Sequence, residues 1–298
     1  MKNQIKTIVL LGALSALVVG AGRALAPSLT YVFAAIAVLM NLCAYFFSDR
    51  VVLAMHRARE VSPSEAPELH EMVDELAARA RIPKPRLFVI AEEQPNAFAT
   101  GRNPKHGVVA VTEGIVRILS PRELRAVLAH EIAHIKNRDI LLSSIAAAAA
   151  SLLSFVANAS LFSGLFGGSS DEEREGGGGG ILLALVAPIA ATLIQLGISR
   201  SREYLADETG AELCGDPRAL ASALGKLERG AELIPQHAPQ PATASLFIMN
   251  PLSGQRGLLE FFSTHPRVEE RVRRLEQLAR RSTNTTDGSA GFFPGLEA

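Results

Sequence analysis

The chain has no tryptophan, few other aromatic residues and only two cysteines. Its formal charges cancel, with 30 basic and 30 acidic residues. Each scarcity removes a class of protein. Cys43 lies in an apolar block and Cys214 in a polar region far from it, so no disulfide framework is expected, and the polar part fits a reducing compartment. Balanced charge leaves no global basic field, so no nucleic acid is expected as a partner. No internal repeat is visible. Apolar residues nevertheless make up 48% of the chain while aromatics are 5%, so the apolar content is Ala, Leu, Val and Ile, and it is gathered in blocks. A length of 298 residues allows one or two soluble domains, or one domain plus membrane helices. The blocks favour the second reading.

The blocks run from about Ile5 to Gly22, Leu29 to Phe47, Ile140 to Phe166 and Ile181 to Ser199. Each is near or above the roughly 18–20 residues needed to cross a bilayer core, and within these limits the only charge is Lys6, at the edge of the first block. The last two are rich in Ala, Gly and Ser and also fit a shallow hairpin. Lys2 and Lys6 ahead of an apolar run, with "ALA" at 24–26, fit a cleaved signal peptide, but Arg23 before that site and a second span directly after it favour a retained helix. Basic residues in short loops set the orientation. Lys2 and Lys6, Arg50, Arg57 and Arg59, Lys136 and Arg138, and Arg200 and Arg202 all fall on one side if every block crosses. The segment 167–180, "GGSSDEEREGGGGG", is acidic and Gly-rich and reads as a solvated loop. The polar bulk and both termini are therefore expected in the cytoplasm, on an inner (cytoplasmic) membrane crossed several times.

In the polar regions, Leu69, Met72, Val73, Leu76, Ala77 and Ala80 recur at helical spacing. "RLFVIA" (86–91) and "GVVAVT" (107–112) read as strands, with "NAFATG" (96–101) a short strand or strand edge between them. Ser120, Pro121 and Glu123 form a capping box that opens a helix. Asp216–Pro217 starts another, residues 231–257 read mostly as loop, and a last helix follows Pro266. The tail from Ser282 is polar and reads as disordered. The fold class is mainly α with a small β-sheet (α+β): four transmembrane-length helices plus a cytoplasmic domain. The expected organisation is membrane helices in 1–50, the first part of the cytoplasmic domain in 51–139, a membrane hairpin in 140–199, the second part in 200–281 and a tail in 282–298. The helix opened by Ser120 is expected to run without a break into the third apolar block.

That helix carries His130-Glu131-Ile132-Ala133-His134, the pattern HExxH. Positions i and i+4 share a helix face, so both imidazoles can reach one ion. Glu131, offset by one residue, can sit beside a water without binding the metal itself. Zinc lowers the pKa of such a water to roughly 7, and a carboxylate takes its proton as it attacks a carbonyl. HExxH alone is moderately specific; the bland alternative is a pair of ordinary helix histidines. A catalytic zinc usually has three protein ligands, and no third histidine follows within the next turns. Glu203 and Asp207 share a face in "ISRSREYLADETGAEL" (198–213). Glu203 is the candidate third ligand and Asp207 a carboxylate that accepts a ligand histidine's ring N–H. By charge pattern alone, a solvated helix remains the stronger reading of that stretch. His56, His70, His106 and His237 have no partner pattern and read as surface residues.

"HEIAH" (130–134), "SRSREYLAD" (199–207), "THPRVEER" (264–271) and "NAFATG" (96–101) together resemble the HtpX family of membrane metallopeptidases, gluzincins related to the CAAX-type prenyl-protein proteases. The resemblance covers nearly the whole chain, hydrophobic blocks included. One departure is Arg267, where the family often has a second proline. The resemblance implies His130, His134 and Glu203 as ligands of one Zn2+ per chain and Glu131 as general base. It also implies Asn96 and His265 near the scissile carbonyl, where they could donate hydrogen bonds to the developing oxyanion. Ala97, Phe98, Ala99, Thr100 and Gly101 are then the strand edge on which an extended peptide substrate adds.

The leading expectation is an integral-membrane zinc endopeptidase that cleaves membrane or misfolded proteins at the cytoplasmic membrane surface, in quality control and stress response. Its partners would be protein substrates, membrane proteins first, and the lipid bilayer; a homo-oligomer is compatible with the sequence. A prenyl-protein protease needs more spans than are found here. A non-enzymatic zinc-binding membrane scaffold has no use for the base Glu131.

Overall fold

The computed structural model describes residues 2–25, 27–149, 200–234, 243, 246–249 and 266–287. Most of the third and fourth apolar blocks, the loop 167–180, His237 and His265 lie outside the described residues. Helix α1 spans Lys2–Leu25 and, after a 3-10 turn at Pro27–Leu29, α2 spans Thr30–Met55. Among the described residues, Pro27–Met55 is the helix long and apolar enough to cross a membrane, and the apolar run Ile5–Gly20 of α1 is shorter. The two helices are tied by Asn41, whose Nδ2 donates to Leu11 O (3.2 Å) and Ser15 Oγ (2.7 Å). Val32, Leu39, Leu42, Phe46 and Phe47 of α2 face outward.

The rest of the chain builds a helix-covered sheet. Strand β1 (Arg59–Glu60) is followed by α3 (Pro67–Ala80), β2 (Arg86–Ile90), β3 (Ala97–Thr100), β4 (Val108–Thr112), α4 (Glu113–Ile118) and α5 (Pro121–Lys136). Next come α6, helical over Ile140–Ala149, then α7 (Arg200–Cys214), α8 (Pro217–Leu233) and α9 (Val268–Asp287). The sheet order is β1-β2-β4-β3. β2 and β4 run parallel, with Phe88 opposite Ala110, and β3 lies antiparallel to β4, with Phe98 opposite Ala110. β3 is thus an edge strand, as its sequence suggests.

Side chains alternate between the two faces of a strand, and both faces are covered. Leu87, Ala97, Ala99, Val109 and Val111 enter the main core with α3, α5, α7 and α8. Phe88, Ile90, Phe98, Val108 and Ala110 meet Val52 and Leu53 of α2, Ala147 of α6, and Leu246 and Phe247. The end of α2 and the described part of α6 therefore rest directly on the sheet.

Several expectations change. The HExxH helix does not continue into the third block. It stops at Lys136 in a Schellman turn: Arg138 N–H donates to Ile135 O (3.1 Å) and Asp139 N–H to His134 O (3.0 Å), with Arg138 in the left-handed region at φ 58°. Such a turn satisfies carbonyls that the helix end leaves open, and α6 begins separately at Ile140. His56 and His70 are buried, not exposed; His56 Nε2 lies 2.8 Å from Thr243 Oγ1, and His70 Nε2 lies 3.0 Å from Val61 O. Both are held by tertiary partners that spacing could not reveal. Helix α9 runs to Asp287, past Ser282, because no Pro or Gly interrupts it before Gly288. The capping box on α5 is present as read: Ser120 Oγ accepts from Glu123 N (3.4 Å), and Glu123 Oε2 accepts from Ser120 N (2.9 Å). Both cysteines are free.

Candidate metal centre and active site

The helix α5 that carries HExxH is tied to α8 at its start. The capping-box residue Glu123 also accepts from Ser222 Oγ and Lys226 Nζ of α8, both at 2.7 Å, so the start of α5 is locked laterally. Helix α7 packs closely along α5 at Gly210, where a Cβ would lie 2.9 Å from both His130 Cα and His130 N. Only glycine lets the two backbones approach so closely. This brings Glu203 opposite the two histidines.

The resulting cluster joins His130, His134 and Glu203, with one ligand atom from each within 4.8 Å of the others. The two histidine Nε2 atoms are 3.2 Å apart. His130 Nε2 is 3.7 Å from Glu203 Oε2, and His134 Nε2 is 3.7 Å from Glu203 Oε1. Tetrahedral zinc with bonds of about 2.0–2.2 Å separates its donors by roughly 3.3 Å. Two imidazole nitrogens and a carboxylate at these separations suit such an ion.

Around the donors lies a buried charge network. Asp207 Oδ1 is 3.0 Å from His130 Nδ1, and Asp139 Oδ2 is 3.4 Å from His134 Nδ1. Arg271 of α9 is almost wholly buried and forks onto Asp207, with Nε to Oδ2 at 2.8 Å and Nη2 to Oδ1 at 2.7 Å. Its Nη1 donates to Ile248 O (3.2 Å), and its Nη2 reaches to 3.4 Å from His130 Nε2. Burial opposes the charge on Asp207, but Arg271 outweighs it and holds the carboxyl below its ordinary range. His130 is pushed down by burial. Burial opposes a charged His134 too, yet Glu203, Asp139 and Glu131 prevail and raise it to about 9. Glu131 is pushed up to about 7, first by burial and then by Glu203, against the pull of His134.

Glu131, His134 and Glu203 line one narrow cleft together with Arg202, Ala99 and Leu246. The structure brings the expected base, ligands and Asp207 together. It places the strand 97–101 beside them but does not bring Asn96 into the cleft. The Asn96 amide is buried and clamps a distant backbone instead: Nδ2 donates to Met249 O (2.8 Å) while Oδ1 accepts from Met249 N (3.2 Å). Ile248 N–H donates to Ala97 O (2.9 Å), so Leu246–Met249 covers the start of β3's outer edge. At the other end, Ser144 Oγ lies 2.7 Å from Thr100 Oγ1 and accepts from Gly101 N (3.4 Å). Sequence reasoning missed Arg271, Asp139 and Arg202. Arg271 was within reach, since it ends the quoted stretch "THPRVEER"; Asp139 was hidden by the expectation of an unbroken helix.

A family model described as Peptidase family M48 matches residues 63–279. Over 283 residues the chain is 52% identical to the protein named Protease HtpX homolog of Syntrophobacter fumaroxidans, spanning 93% of this chain and 100% of that one. A protein of the same name from Persephonella marina is 54% identical over 284 residues, 94% of this chain and 98% of the other. Among solved structures, the crystal structure of S. mikatae Ste24p is similar at a TM-score of 0.49 and 21% identity, over 92% of this chain and 65% of that one. With the family match running through sheet, HExxH helix and α9, and relatives identical at half of all positions, the chain belongs to peptidase family M48 and is a membrane metallopeptidase.

Proposed function

We propose that this metallopeptidase is a zinc endopeptidase that cleaves membrane proteins or misfolded chains at the cytoplasmic membrane surface, in protein quality control. The observation that carries the chemistry is the cluster of His130, His134 and Glu203 beside a cleft lined by Glu131, His134 and Glu203. Their position supports the substrate class. The ligands end α5 and begin α7, and both helices adjoin the apolar blocks. Bound zinc supplies a Lewis acid and acidifies a water to a pKa of about 7. The protein's part is to place the base and hold the peptide. The Glu131 carboxyl, which lines the cleft beside His134 and Glu203, can take a proton from the attacking water and return it to the leaving amine. Basic flanks support a cytoplasmic catalytic domain and cytoplasmic termini, with 1–50 and 140–199 as the membrane parts and 51–139 and 200–281 as the catalytic parts.

Substrate is held as an added strand on β3, at residues 97–101. Edge pairing uses main-chain hydrogen bonds and so tolerates varied sequences. A peptide pairing along the whole strand has to displace Leu246–Met249 from Ala97. His265 keeps its proposed place near the scissile carbonyl by resemblance to the family.

The test is casein cleavage and zinc content of the full chain purified in detergent. Glu131→Ala should keep its zinc and lose about 10²–10⁴-fold or more in turnover. Glu203→Ala should lose zinc as well. Near-wild-type turnover of Glu131→Ala sinks the assignment of the base.

A further inference from the structure

Each histidine of the candidate centre has an aspartate near its Nδ1, and the two aspartates come from different elements. His130 Nδ1 faces Asp207 of α7 at 3.0 Å, and Asp207 is gripped by the fork of Arg271. His134 Nδ1 faces Asp139 at 3.4 Å. A second buried arginine, Arg202, lines the same cleft as Asp139. Each histidine thus has an aspartate near Nδ1, gripped by Arg271 in one case and sharing the cleft with Arg202 in the other.

Asp139 reaches His134 only because α5 ends where it does. In a continuous helix, a residue five positions on sits about 140° round the axis. The Schellman turn folds it back: Asp139 N–H donates to the His134 carbonyl itself, and the Asp139 side chain follows to the ring. The turn is kept although Arg138 holds a left-handed conformation, which costs a non-glycine residue of order 1–2 kcal/mol. A helix end stored at that cost points to a use for the residue it delivers.

The chemical use follows from the imidazole. It offers a metal Nε2 only when Nδ1 carries the proton, and a carboxylate accepting at Nδ1 fixes both that tautomer and the ring's direction. A buried carboxylate is expensive without a counter-charge, and a guanidinium supplies one with rigid geometry. We propose that Asp139 and Arg202 are positioning residues for His134, matching Asp207 and Arg271 for His130, and that the two pairs set both Nε2 atoms for one metal ion. This rests on the reading of His130, His134 and Glu203 as ligands. The competing reading makes Asp139 merely the N-cap of α6.

Asparagine separates these readings, because it caps helices as well as aspartate does but carries no charge. The full chain in detergent is stripped of metal, and zinc affinity is measured at fixed pH by competition with a chromophoric chelator. Visible absorption of the Co2+-loaded protein reports ligand geometry. Asp139→Asn should keep the thermal midpoint of the metal-free protein, weaken zinc about 10–100-fold and alter the cobalt bands. Arg202→Met should act in the same direction, and Arg202→Lys should recover part of the loss. Losses from Asp139→Asn and Arg202→Met should overlap in the double variant, whereas Asp139→Asn and Arg271→Met should multiply. Wild-type affinity and unchanged cobalt bands in Asp139→Asn would overturn the proposal, as would a fall in the thermal midpoint alone or simple multiplication with Arg202→Met. Failure of the wild-type chain to bind zinc would instead overturn the ligand assignment beneath it.

Discussion

Gly210 offers the sharpest test of how the metal centre is assembled. A methyl group there would sit 2.9 Å from His130 Cα and His130 N and 3.2 Å from Ala129 C. These are backbone atoms of α5, so no rotamer change relieves them. Restoring ordinary contact requires α5 and α7 to part by roughly half an ångström, and overpacking of this kind costs about 1–3 kcal/mol. Replacing a helical glycine by alanine returns up to about 1 kcal/mol. The net expectation for Gly210→Ala is a loss of about 0–2 kcal/mol in fold stability. The metal site should suffer more than the fold. The methyl presses on the proposed ligand His130, and Glu203 sits on the displaced helix. Functional constellations tolerate about 0.5 Å, so zinc affinity should fall by about tenfold or more. Gly225 in α8 is the matched control, since a Cβ there meets only Arg229 Nη1 at 3.9 Å; Gly225→Ala should be stabilising or neutral, with unchanged zinc affinity. Thermal melts of metal-free protein and chelator competition, run on both variants, decide the matter. If Gly210→Ala behaves like Gly225→Ala in both assays, the close approach of α5 and α7 does not position the centre.

The remaining predictions are shorter. Arg138→Gly relieves the left-handed conformation at φ 58° and should stabilise the fold by up to about 1 kcal/mol without changing zinc affinity; clear destabilisation would mean that the arginine side chain has a role of its own. His134 stands at about 9 before metal binds, whereas a ligand imidazole must be neutral, so zinc affinity should rise with pH toward 9. Calorimetry at pH 7 in buffers of different ionisation heat should show proton release, and its absence would refute the raised value. The same shift stabilises the metal-free fold below the unfolded histidine value of about 6.5, and that contribution is lost as pH rises through about 9. Asn96→Ala removes the clamp on Met249 and should lower the thermal midpoint, with about 1–3 kcal/mol lost for the buried backbone groups left open. A fall in kcat at unchanged stability would instead assign Asn96 to the scissile carbonyl.

Much of this centre is legible in local sequence, for a physical reason. HExxH is helical spacing, and the capping box makes the helix from residues three apart. Both survive whatever the rest of the chain does. Glu203 and Asp207 are likewise one turn apart on α7. What sequence cannot supply is which partner faces each carboxylate. Asp207 is answered by Arg271, 64 positions away, and His56 by Thr243, 187 positions away. The helix end at Lys136 is hidden for the opposite reason: the usual glycine signal is missing, because Arg138 occupies the position where glycine fits best.

The strand 97–101 illustrates both sides at once. Its small residues mark it as an edge, and β3 is one. Yet the outer side of that edge is not bare. Ile248 takes the Ala97 carbonyl, the Asn96 amide holds Met249, and Phe247 stacks at 5.0 Å on both Phe98 and His56. His56 closes the end of α2, and Arg271, which donates to Ile248 O, also grips Asp207. Leu246–Met249 thus touches the end of a membrane-length helix and the edge strand proposed for substrate, and Arg271 links it to the carboxylate that faces His130. Any peptide that adds along all of β3 must compete with these contacts. The proposed cleavage is therefore coupled to how readily Leu246–Met249 gives way, and an extended, unfolded substrate is the kind best able to replace one main-chain hydrogen bond by another.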